Sequence, residues 1–137
     1  MAEEDCIFCK IVAGELPSTI VDEDERTIAF MDINPAVRGH VLVVPRAHSR
    51  NLFDVPEEDL VACAIASQRI VRRMRDALGA EGANILSAAE PVAWQTVFHF
   101  HIHVIPRNRD DPLKLPWVPA AGDMDEIKAA GAELTRG

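Results

Sequence analysis

Phe98-His99-Phe100-His101-Ile102-His103-Val104, continued by Ile105-Pro106, alternates an apolar side chain with an imidazole at every step. Period two belongs to a β-strand, whose successive side chains point to opposite faces. On that reading His99, His101 and His103 share one face, and Phe98, Phe100, Ile102 and Val104 take the other. Neighbouring imidazole-bearing α-carbons then stand about 6.6 Å apart at a rise of ~3.3 Å per residue. The strand is expected over Thr96 to Pro106. Three readings are open for the histidines. They could decorate an edge or interface, hold a catalytic zinc through two or three rings, or act directly, one ring attacking phosphorus while its neighbours handle protons.

Outward from this segment the elements order themselves. Thr19 to Val21 and Thr27 to Phe30 read as two short strands around the acidic turn Asp22-Glu23-Asp24-Glu25. His40 to Pro45 is rich in β-branched residues and stops at a proline, which predicts a central strand. From Pro56 to Leu78 the period changes: Leu60, Ala64, Ser67, Val71, Met74 and Leu78 recur every three or four residues. One amphipathic helix follows, with Asp54 as expected N-cap, acids Glu57, Glu58 and Asp59 at its start and Gly79 at its end. Ala83 to Ser87 predicts a strand, Glu90-Pro91 a turn, Cys63 a small buried side chain and Asp123 to Leu134 a C-terminal helix. Strands, a helix, then strands fit an antiparallel α+β domain rather than βαβ units.

A chain of 137 residues is expected to form a single domain over 1–137. It can bury roughly 65 to 70% of its unfolded surface, enough for a core without disulfides. The net charge of −8 disfavours polynucleotides and anionic membranes as partners. That charge is uneven: residues 1–32 hold nine acids and two bases, net −7. A site for a small anion therefore belongs after residue 33. No basic then apolar leader and no membrane-length apolar run is present, so a cytoplasmic protein is expected. In that setting Cys6-x-x-Cys9 reads as reduced thiols, redox-active or metal-binding.

The histidine segment matches the His-φ-His-φ-His-φ-φ signature (φ apolar) of the histidine triad nucleotide hydrolases and transferases. Cys6-Ile-Phe-Cys-Lys-Ile11, Gly14-Glu-Leu-Pro17, Ala29-Phe-Met-Asp-Ile-Asn-Pro35, Gly39-His-Val-Leu-Val-Val-Pro-Arg-Ala-His48 and Gln95-Thr-Val-Phe-His99 resemble further segments of that family, in order. The resemblance spans about residues 5–109 and leaves 110–137 as a tail. It implies a five-stranded antiparallel sheet with one long helix, and a homodimer joined through sheets and long helices. It also implies that His101 is the nucleophile, forming a nucleotidyl-histidine that water hydrolyses, and that His103 donates to a phosphate oxygen. His40 would relay protons or hold a triad member.

By the same resemblance Asp32 would accept the ribose hydroxyls of a purine nucleotide, although it also reads as a turn aspartate before Asn34-Pro35. Ile7, Phe8, Leu16, Phe30 and Ile33 would form the base pocket, and Asn84, Gln95 and Thr96 would serve the phosphate region. Arg107 and Arg109 are further candidates there. In the zinc-containing, mainly bacterial branch of the family, the implied ligands of a structural zinc are Cys6, Cys9, His48 and His99. Two departures stand out. Trp94 replaces a family glycine, which puts a phosphate-contacting amide in question, and Glu90 is expected near the leaving group, where it would disfavour anionic leaving groups. The implied activity is hydrolysis of a nucleoside phosphoramidate, with adenosine as the expected base. The alternatives are a dinucleoside polyphosphate hydrolase or nucleotidyl transferase, and a nucleotide-binding regulatory or scaffold protein.

Overall fold

The computed structural model describes residues 3–136; Met1, Ala2 and Gly137, at the ends of the domain expected over 1–137, lie outside the described residues. The first described element is a short helix, α1 (Ile7–Val12), which carries Cys9 and has Cys6 as its N-cap. Strands β1 (Ile20–Glu23) and β2 (Thr27–Met31) form a hairpin, and β3 (Val41–Pro45) follows. The hairpin turn is tied by Asp24, whose carboxylate accepts the amides of Arg26 and Thr27 at 2.9 and 2.8 Å. Helix α2 (Glu57–Leu78), strands β4 (Gly82–Leu86) and β5 (Ile102–Arg107) and helix α3 (Met124–Arg136) complete the order.

All five strands lie in one antiparallel sheet, in the order β1-β2-β3-β5-β4, with β3 at its centre. Strand alternation divides the interior in two. Ala29, Val41, Val43, Phe100, Ile102 and Val104 pack under α2 with Cys63, Ala66, Ile70 and Met74. Ile28, Phe30, Leu42 and Val44 pack on the opposite face with Phe8 of α1. Gly39 sits at φ +97°, where a side chain would meet Leu78 at 2.8 Å, so this corner needs glycine for both conformation and space.

Three expectations need correction. The strand expected from Thr96 begins only at Ile102. The antiparallel register that pairs Val43 with Ile102 would set Pro45 opposite Phe100, and proline has no N–H to continue the ladder. The Pro45 carbonyl instead accepts the ring Nε2–H of His99 at 2.8 Å, while the Phe100 amide bonds Ser49. Phe98 therefore does not join the α2 core; the Arg50 guanidinium lies over its ring, 4.4 Å from the centroid. Asp54 does not cap α2, whose N-cap is Pro56; its carboxylate is taken by the amides of Asn51 and Arg50 in the preceding turn. The buried stripe of α2 is also rotated. Ser67, Met74 and Cys63 are buried as expected, but Asp59, Ala66 and Ile70 join them, while Ala64 and Leu78 face outward. Burial holds the Cys63 thiol up at about 12, which makes it inert packing.

Candidate nucleotide cleft and metal centre

Two side-chain clusters lie along the seam between β3 and β5. The first joins Cys6 and Cys9 of the α1 turn, His48 after β3 and His99 before β5, with one ligand atom from each within 4.8 Å of the others. His99 donates Nε2–H to Pro45, which leaves Nδ1 as a lone pair 3.3 Å from Cys6 Sγ and 3.5 Å from Cys9 Sγ. His48 Nδ1 is 3.4 Å from Cys9 Sγ. A tetrahedral zinc with bonds of about 2.0–2.3 Å separates its ligands by roughly 3.3–3.8 Å. The donor set therefore fits zinc in chemistry and size. The cluster has outer support as well: the amides of Cys9 and Glu3 each point to a cysteine sulfur at 3.3 Å, as suits thiolates, and Glu3 Oε1 lies 3.7 Å from His48 Nε2. Cys6, Cys9 and Cys63 are all free of disulfides.

The second cluster lines a cleft of about 600 Å³ on the α1 side of the sheet. Ile7, Phe8, Leu16, Phe30 and Ile33 form its apolar part, with Asp32, His40, Thr96, His101 and His103 at the polar end. The ring of Phe8 stands edge-on to His101 at 5.1 Å and to Phe30 at 5.3 Å, so one residue links the apolar wall to the histidines.

Backbone contacts decide the ring tautomers. His101 Nδ1–H donates to the His99 carbonyl at 2.7 Å, which leaves Nε2 unprotonated. The Ala36 amide donates to His40 Nδ1 at 2.9 Å, so the proton of neutral His40 lies on Nε2, 2.9 Å from His103 Nδ1. His103 then accepts at Nδ1 and carries its own proton on Nε2. Burial depresses all three basicities; His103 falls to about 4 from an ordinary value near 6.5, chiefly through desolvation and then through His101 and His40.

Several expected residues lie elsewhere. Asn84 on β4 is not in the cleft; its side-chain oxygen accepts from Arg107. Arg107 in turn forms a bidentate pair with Asp111 at 2.8 and 2.9 Å, so it is not a free phosphate ligand. Arg109 does not line the cleft either. Gln95 is buried and its amide is consumed internally, donating to the carbonyls of Arg50 and Val97 and accepting from Asn51 and the Glu90 amide. It braces the loop rather than offering a donor to phosphate. Glu90 is not a free charge by a leaving group. Arg50 grips both its oxygens at 2.7 and 2.9 Å and, with Asn51, lowers its carboxyl to about 2. Residues missed at the sequence level include Ala36, which acts through its amide, and Val97, which lines the cleft. Neither side chain carries a signal of that role.

Trp94 has φ +78° and is 72% exposed. The family glycine it replaces thus matters here for conformation. Trp94→Gly is expected to stabilise the fold by about 0.5–1 kcal/mol, because relief of a left-handed side chain outweighs the added backbone freedom. Denaturant unfolding measures this, and a lowered midpoint would contradict it.

A histidine-lined, nucleotide-sized cleft beside a Cys2His2 cluster, on an antiparallel sheet under one long helix, defines a histidine triad protein. The chain belongs to the HIT family: residues 13–110 match the model of the HIT domain. It is 36% identical over 131 residues to adenosine 5′-monophosphoramidase hnt1 of Schizosaccharomyces pombe, covering 95% of this chain and 96% of that one. The crystal structure of SMU.412c from Streptococcus mutans superposes with a TM-score of 0.93 at 36% identity, over 98% of this chain and 86% of that one. A zinc-bound histidine triad family protein from Mycobacterium smegmatis is 40% identical with a TM-score of 0.78, over 96% of both chains.

Proposed function

We propose that the protein hydrolyses a nucleoside phosphoramidate, with adenosine as its base, through a nucleotidyl intermediate on His101. The observation that carries this reading is the tautomer pair in the cleft: an unprotonated Nε2 on His101 beside a protonated Nε2 on His103. The His101 lone pair attacks the α-phosphorus while the phosphorus–nitrogen bond breaks. The amine leaves with a proton from water, and a second attack by water releases the nucleotide and restores His101. Net, one water adds across the phosphorus–nitrogen bond. His103 donates to a nonbridging oxygen as charge develops there. Asp32 takes the ribose hydroxyls, the apolar wall takes the base and Thr96 borders the phosphates. The similarity to a monophosphoramidase supports this choice of leaving group.

The test is turnover of adenosine 5′-phosphoramidate with a phosphate label that is trapped on the protein during the reaction. Cleavage of dinucleoside polyphosphates alone would move the reading to that activity, and binding without label or turnover would leave a regulatory nucleotide-binding protein. Protonated His103 cannot accept from His40. The acid limb of kcat/KM is therefore expected below pH 6.5, towards about 4. A pH–rate profile with its acid midpoint at or above 6.5 would contradict the buried, neutral chain.

The metal reading is a structural zinc on Cys6, Cys9, His48 and His99; when bound, it supplies crosslinking and not chemistry at phosphorus. The site of action is the cytoplasm, where such thiols stay reduced. Among the described residues no helix is long and apolar enough to cross a membrane. The protein also forms a homodimer. β4 is a sheet edge with Ile85 and Leu86 exposed, and Val61 and Ile65 of α2 are 50% and 52% exposed. Ile65→Asp is expected to yield monomers by light scattering; an unchanged dimer would place the interface elsewhere.

A further inference from the structure

We propose that Asp32 couples ribose recognition to the catalytic step, by deciding how firmly His40 gives its ring proton to His103. This rests on the nucleotide reading above and goes beyond it, because the ribose hydroxyls then contribute to turnover as well as to binding.

The geometry starts from a fixed tautomer. Since His40 Nδ1 is occupied by the Ala36 amide, its single ring proton lies on Nε2. Two acceptor atoms lie near that nitrogen: His103 Nδ1, hydrogen-bonded at 2.9 Å, and Asp32 Oδ2, at an ion-pair distance of 3.4 Å without hydrogen-bond alignment. The other carboxylate oxygen, Oδ1, accepts the Asn34 amide at 2.8 Å. Asp32 therefore ties down the turn that presents the Ala36 amide, and it competes with His103 for the proton the amide has placed. His40 is a positioning residue in this arrangement, acting on phosphate through His103.

An ionised carboxylate is a stronger acceptor than a neutral ring nitrogen, so an unsatisfied Asp32 draws the His40 proton away from His103. A ribose diol donates two hydroxyls into the same carboxylate and satisfies the oxygen that competes. The His40 proton then belongs to His103 alone, which holds the His103 Nε2–H towards the phosphate. Hydroxyls remote from the reacting phosphorus are thereby used in the transition state as well as in binding.

The test compares adenosine 5′-phosphoramidate with its 2′,3′-dideoxy counterpart on the wild-type protein, Asp32→Asn and His40→Asn. In the wild type, removing both hydroxyls is expected to lower kcat at saturation by about tenfold, the equivalent of one charge-assisted interaction, in addition to raising KM. In Asp32→Asn the charged competitor is gone and the kcat ratio returns towards one, while a KM difference persists because the amide still meets ribose. In His40→Asn the kcat ratio also collapses. A wild-type effect confined to KM, or a kcat ratio unchanged in His40→Asn, overturns the coupling. A second readout needs no turnover: imidazole nitrogen resonances of His40 and His103 are expected to shift with AMP and not with 2′,3′-dideoxy-AMP. If both nucleotides bind and shift them alike, the coupling alone is wrong; if neither binds, the nucleotide reading falls and the coupling falls with it.

Discussion

Replacing His101 with alanine is expected to lower turnover of adenosine 5′-phosphoramidate by at least about 10⁴-fold and to abolish covalent phosphate label. No other cleft imidazole can take its place. His103 and His40 share a proton with each other, and His99 has one nitrogen on Pro45 and the other between two cysteine sulfurs. His101 alone is held by a backbone carbonyl at one nitrogen with the other left free. The fold should tolerate the change, because the cluster under α2 does not include this ring. His101→Asn, closer in size, controls for packing against Phe8. Nucleotide affinity is expected to survive in both, since the proposed ribose and base contacts lie elsewhere in the cleft. Full turnover in a folded His101→Ala protein would end the covalent mechanism.

Removing the metal is expected to act on stability first. The proposed ligands draw on three separate segments: the α1 turn, the loop after β3 and the residues before β5. A metal that binds only the folded arrangement stabilises it by mass action. Chelation, or Cys9→Ser, should lower the melting temperature by on the order of 10 °C for a domain of this size. A smaller loss of kcat should accompany it, well short of that in His101→Ala, because the His99 carbonyl that holds the proposed nucleophile belongs to a proposed metal ligand. Elemental analysis with calorimetry decides the matter. Tightly bound zinc whose removal leaves melting unchanged would deny it a structural role. Metal retained by Cys6→Ser together with activity lost to chelator would favour a catalytic ion on the triad.

Much of this was legible in the chain. Alternation of aromatic or aliphatic residues with imidazoles assigned His101 and His103 to one face and Phe100, Ile102 and Val104 to the other, and the core under α2 contains the latter three. The Cys-x-x-Cys pair, His48 and His99 could be nominated from a resemblance of motifs, and their ligand atoms converge to within 4.8 Å of one another. Local pattern failed where a distant partner altered it. The histidine strand starts late because Pro45, more than fifty residues earlier, cannot extend the ladder. Glu90 is not a free charge because Arg50 reaches it, Gln95 offers no donor because Asn51 and two carbonyls occupy its amide, and Asn84 faces Arg107.

The sequence by itself determined the alternation, the helix period and the residue types able to do imidazole and thiolate chemistry, since these depend on neighbours a few positions apart. Only the tertiary structure decided which nitrogen of His40, His99 and His101 bears its proton. That choice follows from three backbone groups, the carbonyls of Pro45 and His99 and the amide of Ala36. Every residue carries such groups, so side-chain identity is silent about them, and folding alone brings the right one within hydrogen-bond reach of each ring.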